Sequence, residues 1–320
     1  MYRRILVFAL FLLCVLAAGF CDGWQEYSSE AFLFSVSHPA GWYVNPVENR
    51  VEIFSQRDFT DAMGGGVGVV IAVYPLELDD GSDPLKAMEH IEDEFGSSID
   101  TSSPLMRMVS GEQWVMCPFD EDEVSAGKIL CVIRGFFVYF IAYGYSDAEK
   151  ISVFEQDINQ IIDSFQLIDF SYKQHIDGNR EISFEYPSHW HVFTNHDSIT
   201  VSTREGVEDD TAGALIMVGK MEIPSGSTDD AKMDEAALFQ EIAGNDDVTV
   251  IAGPQSISFK GKTWLYGELT GATFKGYIYL SKQGNVMYSI GLLVNPFEKD
   301  DEVSEIFQHF LDTLEFSWIE

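Results

Sequence analysis

Hydrophobic and polar positions follow the same pattern twice along the chain, at an offset of about 148 residues. The motif Pro39-Ala-Gly-Trp42 returns as Pro187-Ser-His-Trp190, each time after an alternating apolar run. Trp114 returns as Trp264, and the offset drifts only from 148 to 150. We therefore predict two equal-length tandem copies of one domain.

Within the first copy, alternating apolar and polar positions predict strands, and apolar positions at helical spacing predict two helices. The predicted strands are Ala31 to Val36, Val51 to Phe54, Val67 to Tyr74, Glu112 to Phe119, Lys128 to Arg134 and Phe136 to Tyr143. The first helix begins at Pro84, a residue that the first helical turn tolerates, and Asp83 is its predicted cap. The second helix follows the capping-box spacing of Ser146 and Glu149.

The second copy repeats this order of elements. Its first helix is predicted from about Asp230 to Ala243. Its closing helix carries an apolar face of Val303, Phe307, Phe310, Leu311 and Leu314. An antiparallel sheet with one helix between its middle strands and another at its end makes each repeat α+β. We expect an antiparallel β-sheet flanked by helices, an α/β/α sandwich, in each repeat.

The sequence divides into three predicted parts: a signal peptide at residues 1–21, repeat 1 at residues 27–170 and repeat 2 at residues 171–320. Arg3 and Arg4 precede an apolar run from Ile5 to Phe20, and this order is typical of a secretory signal. The run is shorter than most membrane-spanning helices, although an uncleaved anchor is an alternative. Cys21 would allow a lipid anchor, but Phe20 replaces the small residue that lipoprotein processing favours. We expect an exported protein of the cell envelope or the medium.

A strand ending in Phe-x-Tyr-Pro-x-x-Trp, then strands, a helix, a strand meander and a closing amphipathic helix resembles the PsbP-like superfamily. The resemblance covers nearly all of residues 27 to 317 as two copies. It implies an α/β/α domain in each repeat. It also implies a structural role, in packing and in the backbone turn, for Pro39, Trp42, Pro187 and Trp190. The superfamily includes many exported prokaryotic proteins of unknown role, so the resemblance implies a fold more than a function.

The formal net charge of −33 excludes some classes of partner. Nucleic acids and anionic lipid surfaces bind clustered Lys and Arg, and this chain has 19 of them against 52 acidic residues. We therefore expect no nucleic-acid partner and no binding to an anionic membrane surface apart from an N-terminal anchor. The acidic loop Asp79 to Asp83 lacks the spacing of a 12-residue calcium loop, which leaves weak calcium binding as an alternative.

Cys117 and Cys131 are predicted to lie in two strands that flank the acidic turn Asp120 to Glu123. A simple hairpin centred on residue 124 would place them directly opposite each other, close enough for a disulfide bond. An exported chain would meet the oxidising conditions that form such a bond. The alternative is a pair of small buried thiols, which a shifted register would favour.

Three of the seven histidines lie close together in the second repeat. His189 and His191 would share one face of a strand, and a turn could return His196 to complete a zinc or copper site. The alternative is that these side chains are exposed or hydrogen-bonded within the fold.

No sequence motif for catalysis is found, because the nucleophile turn Gly-x-Ser-x-Gly is lacking and no Ser, His and Asp have the spacing of a known triad. The sequence therefore favours a non-catalytic binding or scaffold protein with two PsbP-like domains. Its partner would be another protein or a small ligand. The alternative is a metal-binding protein or a metal-dependent enzyme that uses the three histidines.

Overall fold

The structure is a computed structural model of the whole chain. It describes residues 23–55, 67–77, 83–95, 98–120, 126–145, 148–203, 213–222, 236, 239–240, 248–271, 274–295 and 300–316. The predicted signal peptide, including Cys21, lies outside these ranges, as does most of the acidic loop Asp79 to Asp83. In the described ranges, no helix is long and apolar enough to cross a membrane.

The first repeat consists of strands with two described helices. Its strands are β1 (Trp24–Ser29), β2 (Phe34–Pro39), β3 (Tyr43–Val47), β4 (Arg50–Phe54), β5 (Val67–Pro75), β6 (Ser98–Ile99), β7 (Leu105–Val109), β8 (Glu112–Asp120), β9 (Ala126–Arg134), β10 (Phe137–Tyr145) and β11 (Gln166–Leu167). Its helices are α1 (Pro84–Phe95) and α2 (Ala148–Ser164). The Asp83 carboxylate accepts the backbone N–H of Leu85 at 3.0 Å, which confirms the predicted helix cap.

The second repeat is built in the same order. Its strands are β12 (Tyr172–Asp177), β13 (Ile182–Pro187), β14 (His191–Thr194), β15 (Ser198–Ser202), β16 (Gly213–Glu222), β17 (Thr249–Phe259), β18 (Lys262–Thr270), β19 (Lys275–Gln283), β20 (Val286–Asn295) and β21 (Glu315–Phe316). Its closing helix is α3 (Asp300–Thr313). The helix predicted from about Asp230 to Ala243 lies mostly outside the described residues.

Each repeat contains one large and one small antiparallel sheet. The large sheets have the orders β3-β4-β5-β10-β9-β8-β6, with β7 also paired to β8, and β14-β15-β16-β20-β19-β18-β17. The small sheets have the orders β1-β2-β11 and β12-β13-β21. Equivalent strands therefore occupy equivalent places in the two repeats, as the sequence repeat predicts.

The predicted α/β/α sandwich is wrong. Most described residues are in antiparallel strands, and the described parts of the chain hold three helices. The sequence prediction omitted the small sheets, which form because the first strands of each repeat pair with a two-residue strand after the closing helix. The closing helices contact these small sheets: the Ser164 hydroxyl accepts the backbone N–H of Ser37 at 2.9 Å.

Aromatic side chains form the centre of each repeat. Trp114 and Trp264 are fully buried at equivalent places. Trp114 packs edge-on against Phe165, with ring centroids 5.3 Å apart, and Phe34 stacks on the same ring at 5.5 Å. Burying rings of this size is a main source of stability for a domain.

The Pro-x-x-Trp motif closes a turn in both repeats. The backbone N–H of Trp42 donates to the carbonyl of Pro39 at 2.9 Å, and that of Trp190 donates to Pro187 at 3.0 Å. The structure therefore agrees with a packing and turning role for these residues.

The turn between the first two strands of each repeat is also shared, but its chemistry differs. In repeat 1 the Ser29 hydroxyl accepts the backbone N–H of Phe32 at 3.3 Å. In repeat 2 the equivalent Asp177 accepts the backbone N–H groups of Asn179 at 2.9 Å and Arg180 at 3.1 Å. Asp177 also forms an ion pair with the Arg180 guanidinium, and both side chains are largely buried.

Contacts between Cα atoms divide the chain into two compact units. The first comprises Met1–Tyr74, Asp83–Arg134 and Val138–Asp169. The second comprises Pro75–Ser82, Gly135–Phe137 and Phe170–Glu320.

Candidate functional site

Strand β7 of the first unit lies at an edge of its large sheet. It pairs with β8 in an uninterrupted antiparallel register from Leu105 opposite Met116 to Val109 opposite Glu112. Within the described residues, β8 is its one hydrogen-bonded neighbour. Ser110 and Gly111 join the two strands in the left-handed region, with φ of 54° and 80°. This tight turn fixes which side chains of β7 share a face.

Three apolar side chains of β7 are exposed: Leu105 by 57%, Met106 by 55% and Met108 by 61%. We call Leu105, Met106 and Met108 the apolar edge. Met106 lies opposite Val115, which in turn lies opposite the buried Cys131. The apolar face of the sheet therefore continues from its buried interior to an exposed outer strand.

Arg107 fixes the other face of β7 to the closing helix. Its guanidinium donates to Asn159 Oδ1 at 3.0 Å and to Asp163 Oδ1 at 2.7 Å, both on α2. The Arg107 side chain is 19% exposed. Because successive residues of a strand point to opposite faces, this attachment directs Met106 and Met108 away from the helix.

The second repeat contains the same edge without its apolar side chains. Arg107 lies opposite Trp114, and at an offset of 150 Ile257 lies opposite Trp264. The residues at the positions of Leu105, Met106 and Met108 are Gln255, Ser256 and Ser258. The same place in the same fold is therefore polar in one repeat and apolar in the other.

The backbone of the two edges is alike along this segment. The pairing of β17 with β18 has two register shifts, between Val250 and Ala252 and between Ala252 and Gln255, but it is continuous over the part of β17 that corresponds to β7. Pro254 precedes that part as Pro104 precedes β7. The two edges therefore differ in their exposed side chains, which are polar in repeat 2 and apolar in repeat 1.

The three candidate metal ligands are not brought together. The His189 ring packs near Phe170, with centroids 5.2 Å apart, and its Nδ1 atom is buried without a hydrogen-bond partner among the described residues. His191 stacks near Phe193 at 6.4 Å, and the exposed His196 approaches Asp197 with Nδ1 2.7 Å from Oδ1. In the part of the chain that the structure describes, no three His, Cys, Asp or Glu side chains form a metal-binding group.

Burial sets the protonation state of His189. Loss of solvent, with a smaller contribution from the charge of His191, lowers the pKa of His189 to about 4. The side chain is therefore neutral at pH 7. Its surroundings are aromatic rings, and its buried Nδ1 atom has no hydrogen-bond partner among the described residues, so the alternative of exposed or hydrogen-bonded side chains does not describe His189.

Cys117 and Cys131 are fully buried and do not form a disulfide bond in the structure. The predicted direct opposition is wrong, because Cys117 lies opposite Ile129 and Cys131 lies opposite Val115. The centre of the hairpin is one residue earlier than predicted, which makes the cysteines diagonal neighbours. Diagonal neighbours are about 7–8 Å apart, beyond the usual reach of a disulfide bond.

We expect both thiols to be reduced in the purified chain that begins at residue 23. Burial, followed by the charge of Asp100, raises the pKa of the Cys117 thiol and so disfavours its reactive thiolate. Iodoacetamide added to the native protein should react slowly. After unfolding without reductant, mass spectrometry should find two added groups per chain. A chain that accepts none under those conditions would contain the disulfide bond.

The second unit has an open cleft of about 590 Å³. Its charged lining includes Asp177, Glu181 and Lys260. Each is engaged within the fold: Asp177 by Arg180, Glu181 by Lys220 at 3.1 Å, and Lys260 by the Asp312 carbonyl at 2.6 Å. Glu315 also lines the cleft, and its carboxylate accepts the Ser183 hydroxyl at 3.4 Å. The charged groups of the cleft are therefore engaged within the fold.

The sequence prediction missed β7 and its apolar edge. Leu-Met-Arg-Met-Val contains one β-branched residue, so its strand signal is weak. Two observations could have revealed it: the Ser110-Gly111 turn immediately before a predicted strand, and the comparison of this segment with Gln255 to Phe259.

No family model matches the chain, and no curated protein matches it. Solved structures match it at low similarity. Cyanobacterial PsbP (CyanoP) from Synechocystis sp. PCC 6803 has a TM-score of 0.33 and 10% identity, covering 46% of this chain and 93% of that one. The Ran-binding protein Mog1p of Saccharomyces cerevisiae has a TM-score of 0.30 and 11% identity, covering 46% of this chain and 96% of that one.

A third structure matches both repeats. The immunity protein TplEi of the type VI secretion system (T6SS) of Pseudomonas aeruginosa has a TM-score of 0.23 and 11% identity, covering 92% of this chain and 97% of that one. At these TM-scores the likeness supports no conclusion about function, and membership of the PsbP-like superfamily stays a prediction.

Proposed function

We propose that this chain is a non-catalytic binding protein that holds an extended segment of a protein partner along β7. The observation that carries the proposal is the contrast between the two equivalent edges. Natural proteins protect exposed edge strands because such strands pair with other chains. At the same place in the same fold, repeat 2 exposes polar side chains and repeat 1 exposes the apolar edge.

A partner strand at this edge would gain two kinds of contact. Its backbone would continue the hydrogen-bonding ladder of the sheet, as in other complexes that form by strand addition. Its alternate side chains would cover Met106 and Met108, which are flexible enough to pack against differently shaped residues. Backbone pairing supplies affinity, and the side-chain contacts supply selectivity.

The other parts of the proposal come from the sequence. The N-terminal pattern supports export to the cell envelope or the medium. The lack of a catalytic motif supports a non-enzymatic role, and the engaged charges of the cleft agree with it. Two repeats with different edges are suited to different roles, in which the apolar edge binds a partner and the polar edge does not.

The test is capture from the native cell with the tagged mature protein. The edge variant is L105Q/M106S/M108S, which gives β7 the residues of repeat 2. We expect wild-type protein to retain a recurring near-stoichiometric partner and the edge variant to retain at least about tenfold less, a loss of roughly 1.4 kcal/mol or more.

The matched control removes three exposed apolar side chains of the second unit, in the variant M217S/I251S/L293Q. This control should retain the partner at the wild-type level, and all three proteins should have the same thermal midpoint. Equal retention of the partner by the edge variant and by wild-type protein would contradict a binding role for β7.

A further inference from the structure

We infer that the segment bound at β7 is a cationic strand, in which apolar residues alternate with Lys or Arg. This inference rests on the proposed function and adds the chemistry of the partner.

Carboxylates surround β7. Asp100 precedes the strand and is exposed, and Glu112 lies opposite Val109 at its far end. On α2, Glu155 and Asp163 lie two helical turns apart, on the face that carries Asn159. Both of these acidic residues are exposed.

The cation on the strand offsets only one of these charges. Arg107 is mostly buried and is held by Asp163 at 2.7 Å. Arg134 lies 3.8 Å from Glu112, but it is also engaged by Asp169 at 3.3 Å. The surroundings of the edge are therefore negative, in agreement with the net charge of −33 for the chain. A cationic segment would be attracted to this edge, and an acidic one would be repelled.

The two faces of an added strand would meet different surfaces. Its residues on the Met106 side would cover apolar side chains, so they should be apolar. Its residues on the Arg107 side would pass Leu105 and point toward α2, where Glu155 and Asp163 are exposed, so they should be Lys or Arg, whose aliphatic stems can cover Leu105 while their charges reach the carboxylates. This alternation has the two-residue period of a strand, which gives the predicted sequence pattern.

A second copy of this chain is a poor occupant of the edge. Two chains that each carry a charge of −33 repel one another, and pairing β7 with its own copy would bring the same carboxylates together. The charge thus favours a different, cationic partner over a homodimer.

The length of β7 limits what can bind. Its five residues extend over about 17 Å, so a bound segment of five to seven residues would cover the edge. A short synthetic peptide is therefore an adequate probe.

The experiment measures binding of labelled, end-capped heptapeptides to the full mature chain by fluorescence anisotropy. The cationic probe alternates Val with Lys, and the acidic probe alternates Val with Glu. A third probe is the cationic peptide with N-methyl groups on alternate backbone nitrogens, which removes the hydrogen-bond donors of one edge. Each probe is also measured with the L105Q/M106S/M108S and M217S/I251S/L293Q variants.

We expect the cationic probe to bind at least about tenfold more tightly than the acidic probe, and its affinity to fall as salt is added. The edge variant and backbone methylation should each weaken binding at least about tenfold, and the control variant should bind as wild-type protein does. Cationic binding that is insensitive to the edge variant or to backbone methylation would be nonspecific attraction to an acidic surface and would overturn the inference.

The same data distinguish failure of the cationic segment from failure of the docking edge. If the acidic probe binds as well as the cationic one, and the edge variant abolishes both, the cationic partner is wrong but the docking edge stands. If no probe binds at β7 and the edge variant still captures the cellular partner, both the cationic segment and the docking edge are wrong. Concentration-dependent dimers that the edge variant prevents would instead identify a second copy as the occupant and overturn the inference.

Discussion

Replacing Asp177 by Ala should lower the free energy of unfolding of the second unit by about 3–5 kcal/mol, because it leaves the buried Arg180 without its charge partner. Arg180 is 14% exposed, and the Asp177 side chain is 8% exposed. The guanidinium also donates to the His196 carbonyl at 2.8 Å. Lys220 of β16 donates to the carbonyl of Arg180 at 2.9 Å, so displacement of Arg180 would also disturb β16.

The first repeat supplies the matched control for this substitution. Ser29 occupies the place of Asp177 in the equivalent turn and accepts one backbone N–H, from Phe32. Ser29→Ala should therefore cost only about 1 kcal/mol. Urea unfolding of both variants at pH 7 measures the difference, and similar losses for the two would contradict a special role for the buried ion pair.

The contribution of Asp177 also has a defined pH dependence. Burial raises the pKa of its carboxyl, but hydrogen bonds from the Arg180 side chain, from the backbone of Arg180 and from Asn179 outweigh burial and lower it. The folded pKa is then below that of the unfolded chain. The stabilisation is complete at neutral pH and is lost as the pH falls below about 4.

The long strands and the repeat could be predicted from the sequence, because each combines β-branched or aromatic residues with a two-residue period. The strand predicted from Val67 to Tyr74 is observed as Val67–Pro75, and the strand predicted from Glu112 to Phe119 is observed as Glu112–Asp120. The helix at Pro84 was also predicted correctly, since Asp83 provides a local cap. These signals lie within a few residues of the elements that they specify.

The small sheets could not be predicted in this way. Strand β11 is only Gln166–Leu167, and it exists because it meets β2 across more than a hundred residues of sequence. A two-residue strand has no period. The prediction of an α/β/α sandwich was wrong for this reason. It placed helices as the layers beside each sheet and did not recognise the short strands.

The pairing register of the β8–β9 hairpin could not be predicted either, and this register determines that the two cysteines are not directly opposed. A hairpin shifted by one residue at its centre changes every opposed pair, and the difference depends on the conformation of the turn. The exposure of the apolar edge could not be predicted for a similar reason. Exposure of Met106 and Met108 depends on which strand ends the sheet, and a single sequence does not specify that directly.

Replacing His189 by Leu should make the second unit less sensitive to acid. The unfolded chain would take up a proton at this histidine with a pKa of about 6.5, whereas burial holds the folded pKa at about 4. Between these values the unfolded state binds more protons, so stability falls as the pH falls. From pH 7 to pH 5 this one residue should remove about 2 kcal/mol of stability from the wild-type protein.

His189→Leu replaces the ionisable ring by an apolar side chain, which also removes the unpartnered Nδ1 atom. The variant should therefore lose about 2 kcal/mol less than wild-type protein between the two pH values. It should still be somewhat acid-sensitive, because burial also lowers the pKa of His175 despite the opposing charge of Asp177. Urea unfolding at pH 7 and pH 5 gives the comparison. Equal losses for the variant and the wild type would mean that His189 becomes protonated in the folded protein, and its ring would then be accessible to solvent or to a bound ion.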